Sequence, residues 1–173
     1  MKKNNIYYTI VVIIILIAIG LFFIFKGSNT SGQSTDQNQV ATTTATTTSA
    51  LDDSAYDTTD IVAPNGTIHA FIADTDQKME LGLSNRDSIA ADGGMIFEFD
   101  TAGSYEFWMK DMRFPLDIVW IDVNKNVLGV VANLSPDSYP NTVLPPSDIG
   151  YVLELPAGAA ATLGIATGTA LTF

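Results

Sequence analysis

The sequence predicts a mainly β domain, a compact β-sandwich or partly closed barrel with two short helices, preceded by a transmembrane helix and a disordered tether. Three observations carry this. Residues 6–25 form an uninterrupted uncharged apolar run, residues 27–60 are dominated by small polar side chains, and most of residues 61–173 break into short period-two segments separated by turn residues.

The apolar run IYYTIVVIIILIAIGLFFIF gives, at about 1.5 Å per residue, a helix of about 30 Å, the thickness of a bilayer core. Lys2 and Lys3 precede it and Lys26 follows closely, a basic bias that orients the N-terminus to the cytoplasm and exports the remainder. The alternative is secretion after signal cleavage. A cleavable signal, however, has an apolar region of about 7 to 15 residues ending at a small-residue site, and the run here is longer and continues into FFIFKGSNTSG. Residues 1–26 are therefore read as a single-pass membrane anchor.

Residues 27–60 carry almost no large apolar side chain, so they cannot bury enough surface to offset the entropy lost on ordering. They read as a disordered Ser/Thr-rich linker holding residues 61–173 away from the membrane. The chain has no cysteine, so the exported part is stabilised by packing without disulfides. Beyond residue 26 there are five basic residues against nineteen acidic ones, a net charge of −14. Such a surface repels phosphate backbones, and nucleic acid is excluded as a partner.

Within the domain, residues 66–73 (GTIHAFIA) read as a first strand. Asp74 followed by Gln77 resembles a capping box, opening a helix over 75–81 that Gly82 closes. MIFEF (95–99) and YEFWMK (105–110) alternate, with TAGS between them as a hairpin loop. DIVWIDV (117–123) and VLGVVANL (127–134) flank the turn residues Asn124-Lys125-Asn126. Pro136, Pro140, Pro145 and Pro146 mark a loop too rich in proline for a central strand. YVLEL (151–155) resumes the strand pattern, Pro156 opens a short Ala-rich helix ending near Gly164, and GTALTF supplies a last strand.

With the elements placed, the blocks ELGLSNR (80–86), GGMIFEF (93–99), FWMKDMRFPLDIVWID (107–122), YVLELPAG (151–158) and GIATGTAL (164–171) resemble the domain of unknown function 192 family, small exported or membrane-tethered prokaryotic domains. The resemblance implies a compact, mainly β fold and no established activity, substrate or cofactor. Asp111-Met112 stands where the family typically has Asn-Thr, and Ala159 where a large aromatic often follows Gly158.

The densest chemistry lies in FWMKDMRFPLD (107–117). Period-two alternation puts Tyr105, Phe107 and Met109 on a core face and Glu106, Trp108 and Lys110 on the other. A Trp edged by a carboxylate and an ammonium suits stacking on a sugar ring or planar ligand, while packing under a loop is the structural reading of the same residue. Asp117, at the start of a strand, is expected to cap the preceding turn or to pair with Lys110, Arg86 or Arg113. Alternatively it forms a carboxylate pair with Glu106 or Glu154 for general acid and base work on a glycoside-like bond. Arg86 is expected to bind Asp117 or Glu154, or an anionic ligand, and an inward Glu154 is expected to need Arg86 or Lys110.

His69, the only histidine, reads as structural, and the methionines read as packing residues. There is no HExxH, CxxC or phosphate-cradling glycine loop, so no metal, cofactor or nucleotide is expected. The ligand-binding candidates are Arg86, Trp108, Lys110 and Asp117, and the weaker catalytic candidates are Glu106, Asp117 and Glu154. The function expected is a binding or accessory module for a cell-envelope component, with envelope glycan the leading ligand. The alternatives are a carboxylate-dependent hydrolase or transferase acting on envelope polysaccharide, and a structural protein of an envelope assembly with a protein partner.

Overall fold

A computed structural model describes residues 53–173; the expected anchor and most of the expected linker lie outside the described residues. Among the described residues eight strands form: β1 (Thr58–Ala63), β2 (Gly66–Ala73), β3 (Gly93–Gly103), β4 (Phe107–Trp108), β5 (Leu116–Ile121), β6 (Val127–Leu134), β7 (Thr142–Val143) and β8 (Ile149–Pro156). Six of them make one mixed sheet in the order β1-β2-β3-β8-β5-β6, and β4 pairs with β7 in a separate two-stranded sheet. The β2–β3 pair is parallel and every other pair is antiparallel. Two short helices, α1 (Asp76–Leu81) and α2 (Ala159–Thr162), complete the mainly β fold that the sequence predicts.

Both faces of the large sheet are covered, which explains why the inner strand β5 is buried at all six positions instead of alternating. One face packs Ile61, Ile68, Ile96, Val119, Leu153 and Leu155 with Ala160 of α2. The other packs Met95, Phe97, Ile118, Trp120 and Val152 with Met109, Leu83 and Tyr56. Close strand approach requires Gly94, where a Cβ would lie 2.9 Å from the Glu154 backbone carbonyl oxygen. Residues 170–172 bridge to both edges of this sheet, Thr172 to Val62 and Ala170 to Asn126.

Several elements depart from their sequence reading. β1 begins at Thr58 and Tyr56 is buried, so residues 53–60, assigned by composition to the linker, pack on the domain. Helix α1 is capped by Thr75, whose Oγ1 accepts from Lys78 N at 3.3 Å, whereas Asp74 pairs with the Lys78 side chain at 2.8 Å. TAGS is no hairpin loop: β3 runs through it to Gly103, which meets Ile149 on β8 after a register shift. YEFWMK contributes only Phe107 and Trp108 to a strand. Pro156 ends β8, and α2 starts only after Gly158, in the left-handed region at φ 85°. The 127–134 strand and the Asn124-Lys125-Asn126 turn form as read, with the Asp122 carboxylate accepting from Asn124 N and Asn126 N at 2.8 Å each.

Candidate functional site

Phe107 decides where Trp108 points. Its ring packs edge-on against Phe97 at 5.0 Å and Trp120 at 5.6 Å, fixing the inward face of β4. Trp108, one residue on, must face away, and it is 47% exposed. Glu106 and Lys110 are exposed on either side, as the alternation predicts, and Met109 is buried. Trp108 lies opposite Thr142 of β7. Tyr139, three residues before Thr142, and Leu144, two residues after it, are 47% and 54% exposed. The small sheet and the proline-rich loop therefore present three large apolar side chains with charged side chains near the first.

Asp117 and Glu154 are the two buried carboxylates among the described residues, and they lie on opposite faces of the sheet. Asp117 is opposite Leu155 in the β5–β8 register, whereas Glu154 is opposite Ile118 on β5 and Met95 on β3. Paired residues share a face and successive residues alternate, so the two side chains cannot converge on one bond. Glu106 is exposed and belongs to neither buried face.

Among the described residues Asp117 pairs with no cation. Its Oδ1 accepts from Asn133 N at 2.8 Å and its Oδ2 from Ala160 N at 3.0 Å. Gly158 brings no side chain to cap α2, and Asp117 supplies the missing acceptor from a neighbouring strand, tying β5 to the end of β6 and to the helix start. It sits at the wall of a 330 Å³ depression lined by Val130, Ala132, Ala161 and Ile165, whose apolar character fits a packing seam.

Glu154 lacks the expected partner. Its Oε2 has no hydrogen bond, and burial pushes its carboxyl up from 4.5 to about 8, so it is mostly protonated at neutral pH. Arg86 and Lys110, the cations expected to meet it, are elsewhere: Arg86 pairs with Asp53, and the Lys110 side chain is exposed with no ion pair among those of the described residues.

Arg86 opens a different site. Its guanidinium lies 5.0 Å from the Phe71 ring centroid and 5.8 Å from that of Tyr56, and its Nη1 donates to Asp53 Oδ1. The loop that carries it is held by Asn85 N donating to the Asp111 carbonyl at 2.8 Å and Ser84 Oγ donating to the Lys110 carbonyl at 2.8 Å. A cleft of about 490 Å³ lies beside it, lined by Thr58, His69, Phe71, Ser88 and Asp53 among others. Burial raises the Tyr56 hydroxyl above its ordinary value, against the lowering influence of Arg86. His69 bonds Asp60 Oδ1 through Nδ1 at 2.6 Å. Sequence reasoning missed Asp53 and Tyr56, and the one available signal was an aromatic residue inside LDDSAYDTTD, a stretch otherwise poor in large apolar side chains. Among the described residues no three His, Asp or Glu side chains converge to hold a metal ion, and no helix is long and apolar enough to cross a membrane.

Fold and surface together define a small mainly β domain built on a six-stranded mixed sheet. The chain belongs to the family described as Uncharacterized ACR, domain of unknown function 192, whose model matches residues 60–173. Among solved structures it is similar to a protein from Sinorhizobium meliloti 1021 described as a candidate transcription regulator. The two share 28% identity and a TM-score of 0.63 over 68% of this chain and 94% of that one. It is also similar to a protein of unknown function from Novosphingobium aromaticivorans DSM 12444, with 26% identity and a TM-score of 0.62 over 67% of this chain and 85% of that one. No curated protein matches the chain.

Proposed function

We propose that this chain is a membrane-anchored extracytoplasmic binding module that presents Trp108 and its neighbours to envelope glycan. The observation that carries the reading is the outward Trp108, half exposed although the aromatic cluster anchoring Phe107 is adjacent to it. An indole face edged by Glu106 and Lys110 offers stacking area together with polar groups for ring hydroxyls. The uncharged run at residues 6–25 supports the anchor, and the basic bias around it supports export. In the same reading the sheet is a partly closed barrel, supported by the segment that bonds to both of its edges.

The domain's acidity argues against carrying over the regulator description of one relative, since sequence-independent DNA binding depends on clustered Lys and Arg. The hydrolase alternative loses its natural pair, because Asp117 and Glu154 do not share a face. A second reading, docking of an envelope protein in a structural assembly, is favoured by the exposed Tyr139 and Leu144.

The test is retention of the full chain, in detergent micelles, on isolated envelope glycans. Trp108→Ala is expected to abolish retention while leaving the unfolding transition in place. Unchanged retention would refute the glycan platform, and loss of a protein partner with Tyr139→Ser but not Trp108→Ala would favour the assembly.

A further inference from the structure

We infer that the cleft beside Arg86 is a binding site for a small hydroxylated carboxylate, of the sugar-acid class, and that Asp53 is its resident intramolecular occupant.

Arg86 has the properties of a prepared receptor. Its side chain is 15% exposed, although it is one of only five basic residues beyond residue 26. The faces of its guanidinium are engaged by Phe71 and Tyr56, which leaves its N–H edge as the recognition element. A carboxylate is the anion whose two oxygens match that edge. Among the cleft's lining residues Arg86 is the only Lys or Arg.

The group bonded to it has the opposite character. The Asp53 side chain is 61% exposed and sits in a single 3-10 turn, Asp53–Ala55, at the junction with the expected linker. An exposed carboxylate on such a short turn is a weak, displaceable ligand for a nearly buried guanidinium. The aromatic contact that holds Arg86 is itself buried: Tyr56, whose ring centroid lies 5.8 Å from the guanidinium, is 6% exposed.

The remaining lining selects the ligand class. Thr58, Ser88 and His69 add hydroxyl and imidazole groups suited to ligand hydroxyls, and about 490 Å³ accommodates a monosaccharide. Asp92 at the wall and the net negative surface disfavour a polyanion, so one carboxylate is the most the cleft takes. Because Asp53 adjoins the linker, ligand binding and docking of that junction are linked: each weakens the other by the same factor. The site is separate from the Trp108 platform and does not depend on it.

The experiment is calorimetric titration of the full chain in detergent micelles with sodium D-glucuronate, with D-glucose as the uncharged counterpart. Glucuronate is expected to bind and glucose is not. Asp53→Asn, an exposed substitution, is expected to tighten glucuronate binding about two- to sixfold, the gain from removing an exposed competing partner. Arg86→Gln is expected to weaken it at least about tenfold, the loss of one charge-assisted contact, whereas Arg113→Gln, which removes a cation paired with Asp87 outside the cleft, is expected to leave it unchanged. No binding of glucuronate to the Asp53→Asn chain, equal affinity before and after that substitution, or equal binding of glucose would overturn the proposal. None of these outcomes depends on whether Trp108 retains envelope glycan.

Discussion

Replacing Glu154 by Gln should stabilise the domain at neutral pH and remove much of its pH dependence. The side chain lies on the sheet face between Met95 and Ile118, 5% exposed, with Oε2 unpartnered and no charged group to offset its burial. Its carboxyl titrates near 8 in the folded protein against 4.5 as its ordinary value. The unfolded chain therefore releases this proton at lower pH than the folded one. The contribution of Glu154 to stability is fully present below about 4.5, is lost progressively as pH rises, and levels off above about 8. Each pH unit within that window is worth about 1.4 kcal/mol, so the full span is about 5 kcal/mol. That is comparable to the whole stability of many domains of about this size.

Urea unfolding followed by tryptophan fluorescence suits the measurement, because one of the two tryptophans, Trp120, is 2% exposed and must change environment on unfolding. Between pH 5 and 7.5 the native sequence should lose about 1.4 kcal/mol per unit beyond whatever Glu154→Gln loses. The variant should be the more stable by about 3 kcal/mol or more at pH 7.5. Parallel profiles for the two chains would refute the reasoning, since they would mean that the carboxylate is solvated or paired in the folded state.

Asp117→Ala removes the acceptor of two backbone N–H groups, one on α2 and one at the end of β6, and should cost about 3 kcal/mol by denaturant midpoint, with Asp117→Asn in between. Gly94→Ala places a Cβ 2.9 Å from the Glu154 carbonyl oxygen and 3.1 Å from Ile68 and Leu155 methyl carbons, so it should destabilise by about 1–3 kcal/mol or more. A change below a few tenths of a kcal/mol there would show that the β3–β8 pair yields to an added methyl group and would refute the close-approach argument.

Local pattern carries furthest where an element is stabilised by its own neighbours. The 66–73 strand forms with its predicted bounds, and the 127–134 hairpin forms around Asn124-Lys125-Asn126, because period-two residues and turn chemistry act over a few positions. The 101–103 segment defeats that logic: TAG has turn composition, yet its extension is set by Ile149, about forty-five residues on. YEFWMK has strand composition over six residues, yet its partner β7 offers only Thr142 and Val143 to pair with.

The candidate site divides the same way. That Trp108 faces out and Met109 faces in follows from alternation. The partners of Asp117 are backbone amides of Asn133 and Ala160, which no side-chain chemistry advertises. The partner of Arg86 lies in a stretch whose composition resembles a tether, so scarcity of basic residues indicated that Arg86 is engaged but not by which carboxylate. For Glu154 the expectation of a cationic partner fails because protonation relieves the burial instead.

The residues from Thr169 onward act as a clasp. Thr169 and Thr172 carbonyls accept from Val127 and Val62, and Leu171 N donates to the Lys125 carbonyl, so one short ribbon occupies backbone groups beside both outermost strands. Unpaired strand rims invite other polypeptides to zip alongside. By fastening the two rims to a single strap, the chain blunts both with the same few residues.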